Sequence, residues 1–289
     1  MKKKLLLISI AAITFLAALI IMFYPIFSTI YNERHQSEIH TNSQEQVAQA
    51  DTGQIENAKK LAVAYNGAIA NNVQLTESFS KDALLWASED YKSQLNLTGT
   101  GIMGYIEIPA IDVNLPIYHG TDDNTLEYGI GHLLGTSLPV GGSSTHTVLT
   151  GHSGMASQRM FSDLDQLTEG DVFYLEVLGE KLAYQVDQIK TVLPHDTTYL
   201  GIESDKDYCT LITCTPFGVN THRLLVRGTR IPYEEAEEII KENPPEENQV
   251  STWEQEYLKG LFISLGVVAA LGLAALGCWI YRRCRHENS

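Results

Sequence analysis

Three short segments of this 289-residue chain hold a thiol, an imidazole and a guanidinium, a set of groups suited to acyl transfer. In Thr150-Gly151-His152-Ser153-Gly154 a strand runs out into a loop of small residues that presents one imidazole. In Thr210-Leu211-Ile212-Thr213-Cys214-Thr215-Pro216 a β-branched strand ends at a thiol and is stopped by proline. In Asn220-Thr221-His222-Arg223-Leu224-Leu225-Val226-Arg227-Gly228 a strand begins with two guanidinium groups four residues apart. A thiolate attacks an acyl carbon, an imidazole exchanges the proton of a leaving or entering amine, and a guanidinium holds a developing oxyanion. Strand ends and loop edges are where a rigid scaffold exposes such groups.

Each candidate has a plain structural alternative. Cys209 reads as a small buried hydrophobe, whereas the flanks of Cys214 favour chemistry. Arg223 and Arg227 share a strand face by the period of two, so spacing does not choose between them. His119, His132, His146, His195 and His222 carry no signal beyond ordinary hydrogen bonding. Cys209 and Cys214 lie on opposite faces of one strand, Cys278 and Cys284 lie in or beyond a terminal apolar run, and no Cys-x-x-Cys pairs suggest a metal.

The elements that must position these groups are mostly β. From Gly101 onward, short β-rich runs alternate with Gly, Pro, Asn and Asp: 105–108, 113–118, 145–149, 172–178, 181–189, 208–213 and 223–227. Gly179-Glu180 marks a hairpin, and Ser162-Asp163 opens a short helix carrying Leu164 and Leu167. Seven or eight strands in so short a stretch indicate a closed, antiparallel-rich barrel. Before it, 57–71 forms an amphipathic helix with Leu61, Ala62, Tyr65, Ala68 and Ile69 on its apolar stripe, and 31–55 reads as a polar stalk. A short helical or irregular piece follows over 82–95, where Leu84, Leu85, Trp86, Tyr91 and Leu95 must cover something. After Pro232 an acidic helix over 234–243 and a Pro-Pro break at 244 and 245 read as a solvated spacer.

The two ends set the compartment. Leu5 to Tyr24 is 20 uncharged residues directly after Lys2, Lys3 and Lys4, enough at ~1.5 Å per residue to cross a bilayer core of ~30 Å. That run is longer than a signal-peptide core and lacks a nearby small-x-small site, so a retained anchor is expected. A second uncharged run, 260–281, precedes Arg282, Arg283 and Arg285. With both basic clusters held in the cytoplasm, everything between the runs lies outside. The formal charge of −15 excludes a nucleic-acid partner, which would require a basic surface.

The three chemical segments resemble the signature of the sortases, membrane-anchored cysteine transpeptidases of Gram-positive bacteria. The resemblance runs over about 101–232. It includes Gly104-Tyr105-Ile106-Glu107-Ile108-Pro109, Leu115-Pro116-Ile117-Tyr118-His119-Gly120-Thr121, Gly131-His132-Leu133 and the long run Thr213 to Gly228. That last run, the C-terminal span and the long segment before the barrel are similar to class C, the pilin-polymerising sortases. The resemblance implies an eight-stranded barrel without a cofactor, with Cys214 as nucleophile, His152 as general acid and base, and Arg223 stabilising the oxyanion. Its partners would be pilin subunits with a Leu-Pro-x-Thr-Gly-like sorting signal, and the amine acceptor a Lys of the next pilin. Class C members cover the site with a lid bearing Asp-Pro-aromatic; here Asp82-Ala83-Leu84 lacks the Pro and the aromatic, with Trp86 close by.

The expected organisation is therefore a cytoplasmic N-terminus (1–4), a span (5–24), and a stalk, helix and lid (25–100). The catalytic barrel (101–232), an acidic spacer (233–259), a second span (260–281) and a cytoplasmic tail (282–289) follow. The alternatives are a cell-wall-anchoring sortase using a peptidoglycan-precursor amine, a cysteine protease using water, and an extracellular peptide-binding receptor with an inert Cys214.

Overall fold

A computed structural model describes residues 2–69, 88–155, 157–244 and 251–287. The chain forms two compact units: Tyr24–Gln249, and a second made of Met1–Phe23 with Val250–Ser289.

Eight strands make the larger unit a closed barrel: β1 (Ile102–Ile108), β2 (Val113–His119), β3 (Ile130–His132), β4 (Thr145–Thr150), β5 (Val172–Val177), β6 (Glu180–Val192), β7 (Asp207–Thr215) and β8 (His222–Ile231). The order around the wall is β1-β2-β3-β4-β7-β8-β6-β5, with β5 pairing back onto β1. Two neighbouring pairs, β2 with β3 and β4 with β7, are parallel; the others are antiparallel. Closure removes every sheet edge, as the number of short strands implied. β3, at three residues, is the strand that gives no periodic signal of its own. The hairpin between β5 and β6 turns at Leu178 and Gly179, one residue earlier than expected, with φ of 53° and 79°. Positive φ at both central residues is what a two-residue hairpin of matching twist requires.

Alternation along the strands divides the wall into two faces. Ile106, Ile117, Leu149, Phe173, Tyr184, Cys209, Leu211, Leu224 and Val226 fill the barrel interior. Val148, Ile212 and Leu225 point the other way, into a smaller cluster with Leu133, Val192 and Leu200 outside the wall. Burying each such side chain contributes about 1.5–3 kcal/mol.

Three helices of this unit, and the part of the N-terminal helix from Tyr24 on, lie on the barrel. α1 (Lys2–Gln49) carries on beyond the apolar run, so the residues read as a stalk are helical and lie against the barrel. Asn32 Nδ2 donates to Ser157 O (3.0 Å), Tyr105 Oη to Ile39 O (3.3 Å) and Gln44 Nε2 to Glu176 Oε1 (2.9 Å). α2 (Thr52–Ile69) buries Ala62 and Asn66, while Leu61 and Ala68 face solvent, so the apolar stripe is rotated from the expected one. Asn66 explains the rotation: its amide donates to Leu138 O (3.1 Å) and accepts from Leu138 N (2.7 Å), satisfying a buried backbone unit.

α3 (Glu89–Ser93) starts at Ser88, whose hydroxyl accepts from Tyr91 N. It buries Tyr91 completely, with the phenol 2.9 Å from His132 Nδ1. The second half of the expected 82–95 element is thus a core contact. The lid residues Asp82, Leu84 and Trp86 fall outside the described residues. α5 (Tyr233–Glu242) docks through Ala236, Ile239 and Ile240 onto Val172, Tyr174 and Ile231. The start of the expected spacer is therefore part of the folded unit rather than solvated chain. The remaining short helix, α4 (Asp123–Tyr128), is capped by Asp122 and belongs to the site region.

In the smaller unit, α6 (Thr252–Glu287) covers the expected second span. Among the described residues, α1 alone is long and apolar enough to cross a membrane, so of the two expected flanking spans the first alone meets that measure.

Candidate active site

The strand register brings the three candidate groups together. Cys214 is the penultimate residue of β7 and pairs with Arg223 at the start of β8. On the other side β4 runs parallel to β7, with Thr150 opposite Ile212. The alignment persists beyond the strand: Gly151 N donates to Ile212 O (3.0 Å), Thr213 Oγ1 to Gly151 O (2.8 Å) and Ser153 Oγ to Cys214 O (2.8 Å). His152 is therefore level with Cys214. Because neighbouring strands lie about 4.8 Å apart, the sequence-distant imidazole, thiol and guanidinium form one row across three strand ends.

Local sequence explains why the row is held there. Cys214 and Arg223 alternate with Thr213 and Leu224, whose side chains are buried, and share the outer face with Ile212 and Leu225. Gly151 is required before His152, because a Cβ there would meet Ile130 Cδ1 at 2.6 Å and the Phe161 ring at 2.7 Å. The loop from His152 returns to the core at Phe161, whose amide donates to His152 O (3.0 Å). Between β7 and β8 the chain passes through a cis Thr215-Pro216 peptide, and Val219 N and Asn220 N both donate to Pro216 O. Phe217 in this turn lies against Gly154.

Cys214 and His152 are half-buried, and Arg223 is buried at 8% exposure. Arg223 Nη1 donates to Asn220 O (3.3 Å) and His222 O (3.2 Å), so its own turn orients the guanidinium. Burial pushes the His152 imidazole below its ordinary value, and the Asp123 carboxylate at the start of α4 pulls it back up. A thiol flanked by a partly desolvated imidazole and a fixed guanidinium can form an acyl-enzyme, exchange an amine proton and stabilise an oxyanion.

The other candidates go elsewhere. Cys209 is fully buried in the barrel interior, and desolvation followed by the charge of Asp207 pushes its thiol well up. Arg227 is committed to Asp187 (3.0 Å) and Glu203 (3.5 Å) and stacks on Tyr208 at 4.1 Å. His119, His132 and His146 are buried and engage backbone carbonyls: Gln94 O, Ser137 O and Gly201 O. His222 lies beside Thr221 Oγ1 (2.9 Å) at the turn. Sequence reasoning missed Ser153 and Asp123. Ser153 was legible only as a small loop residue, and Asp123 acts on His152 across a distance that spacing does not encode. Among the described residues no group of three or more His, Cys, Asp or Glu forms a metal site.

Comparison with known proteins agrees with this architecture. A sortase domain model matches residues 106–231. Sortase D of Bacillus subtilis (strain 168) is 31% identical over 131 residues, covering 44% of this chain and 63% of that protein, so less than two thirds of this curated relative's length is spanned. A crystal structure of Streptococcus pneumoniae sortase C, which bears on catalysis and pilin substrate specificity, shares 45% identity and superposes with a TM-score of 0.63 over 68% of this chain and 97% of its own. Sortase C1 of Streptococcus agalactiae is 45% identical, with a TM-score of 0.61 over 68% of this chain and 98% of its own. Matching sequence over nearly the whole of two solved sortase C chains, and having the closed barrel that carries the His152, Cys214 and Arg223 row, this chain belongs to the sortase family, class C.

Proposed function

We propose that the protein is a membrane-anchored cysteine transpeptidase that joins pilin subunits. The Cys214 thiolate attacks the carbonyl carbon of Thr in a Leu-Pro-x-Thr-Gly-like sorting signal. The Thr-Gly bond breaks as His152 protonates the departing Gly amine, leaving a thioester on Sγ. A Lys amine of the next pilin then attacks the thioester, gives its proton to His152 and forms an isopeptide bond, which releases the Cys214 thiolate. Arg223 holds the oxyanion in both steps.

This reading is carried by the register that sets His152, Cys214 and Arg223 side by side on three strand ends while Cys209 and Arg227 are tied up elsewhere. The likeness to sortase C structures connected with pilins supports the substrate class. The arrangement proposed in the membrane has two spans, 5–24 and 260–281, with both termini cytoplasmic and the barrel outside, resting on the apolar runs and their flanking basic residues. Asp82, Leu84 and Trp86 are proposed to cover the cleft as a lid.

The test is incubation of the full chain in detergent with a sorting-signal peptide and then with pilins encoded near its own gene. Expected are an intact-mass adduct on Cys214 equal to the peptide up to Thr, and ladders resistant to sodium dodecyl sulfate. An adduct without ladders would reject pilin polymerisation, and no adduct on Cys214 would reject the transpeptidase reading.

A further inference from the structure

The loop that carries His152 is pinned to β7 at its start, through Ser153, and to the barrel at its end, through Phe161. Its middle is held differently. Asn32 Nδ2 of α1 donates to Ser157 O (3.0 Å), and Gln36 Nε2, one helical turn later, donates to Gln158 Oε1 (2.7 Å). Gln158 Nε2 in turn donates to Glu127 O of α4 (3.0 Å), the helix whose first residue is Asp123. Asn32, Gln36 and Gln158 also line two cavities, of about 210 and 420 Å³. The bridge is thus a polar strut bordered by open space, and its hydrogen bonds tie the middle of the loop to α1 and α4, while Met155 and Met160 pack to the core on either side of it.

We infer that α1 is part of the catalytic frame: Asn32 and Gln36 are positioning residues that hold the His152 loop, and with it the imidazole, in line with Cys214. This rests on the transpeptidase reading for its kinetic consequence, though the stiffening of the loop does not. The spacing of four puts both amides on one face of the helix. Displacement of a reacting group by about 1 Å commonly costs on the order of 10²-fold in rate, and loss of two hydrogen bonds flanked by cavities allows a fraction of that. The same helix provides its own control, because Gln44 makes a similar side-chain bond to Glu176, on β5, and has no part in the His152 loop.

The experiment compares the full chain in detergent with Asn32→Ala plus Gln36→Ala, with Asn32→Asp, and with Gln44→Ala. Asn32→Asp keeps the side-chain shape but turns the donor facing Ser157 O into an acceptor, so it remains informative if the double variant does not fold. Expected for the double variant are a kcat about tenfold lower with KM within twofold, and a shifted pH profile for alkylation of Cys214. Amide hydrogen exchange over 153–160 should be about tenfold faster. Asn32→Asp should show the same signs to a lesser extent, and Gln44→Ala none of them. Unchanged kcat and exchange in the double variant and Asn32→Asp, or equal losses in Gln44→Ala, would overturn the inference. If the wild type forms no thioester on Cys214, the functional reading fails, while the exchange data still decide whether α1 holds the loop.

Discussion

Two rows of similar chemistry lie on the outer face of the same three strands. One end carries His152, Cys214 and Arg223; the other carries His146, Thr210 and Arg227, with Thr210 paired to Arg227 in register and 2.7 Å from His146 Nε2. Only the middle residue changes type. In the second row every group is spent: His146 is 1% exposed between Gly201 O and Thr210, and Arg227 is gripped by Asp187, Glu203 and the Tyr208 ring. In the first row the thiol and imidazole remain half-exposed, and the guanidinium is oriented by carbonyls of its own turn. An imidazole and a guanidinium on the strands flanking β7 therefore do not make a reactive site in themselves. What differs is access: His146 is sealed in, while the thiol and imidazole at the other end remain half-exposed.

The sharpest way to break this comparison is at the middle position. Cys214→Ala should abolish the thioester adduct in intact-mass measurements while the thermal midpoint stays near that of the wild type. Cys209→Ala, in the packed interior, should keep the adduct and lower the midpoint. The arginines come next. Arg223→Lys should lower turnover by about 10²-fold to 10³-fold, because an ammonium lacks the planar fork. Arg227→Lys should keep turnover within a fewfold and instead reduce stability, as seen in denaturant titration. A larger kinetic defect at Arg227 would mean that the two rows have been assigned the wrong way round.

Buried, already satisfied imidazoles should also show in the pH dependence of stability. Burial lowers the imidazoles of His146 and His119, and pushes His132 down to about 4 from an ordinary value of 6.5. The unfolded chain therefore takes up these protons first. Stability should be intact above about pH 6.5 and decline as pH falls towards 4, with His132 alone accounting for something on the order of 3 kcal/mol. Chemical denaturation across that range tests this, and His132→Asn should flatten the decline.

The smallest effect is expected at Asp123. Its carboxylate raises the His152 imidazole against the lowering by burial, so Asp123→Asn should move the His152 limb of the kcat/KM profile to lower pH. A shift to higher pH would show that another group controls that imidazole.

Much of this was written in local sequence. Alternating β-branched runs from 105 to 227 specify strands because period two matches a wall with one face in the core, and their number demands closure. The segments around His152, Cys214 and Arg223 were legible because their motifs resemble sortases. The short β3 was not, since three residues have no period, and Leu61 was misplaced because nothing local announces that Asn66 turns inward to satisfy Leu138. The polar residues from Asn32 to Gln44 resemble a stalk when read alone. They lie on the barrel because their amides meet carbonyl and carboxylate partners more than 100 residues away.

By itself the sequence determined seven of the eight strands, the apolar ends, the acidic character and the candidate reactive side chains, all of which depend on composition, short motifs and short-range period. Only the tertiary structure showed that Arg227 is held by Asp187, Glu203 and Tyr208, showed what Ser153, Asp123 and the amides of α1 touch, and set His152 level with Cys214. The physical reason is that period two gives both arginines the same face. The ion pairs and ring that hold Arg227 come from Asp187, Glu203 and Tyr208, which reach it from other strands and loops and leave no trace in local spacing.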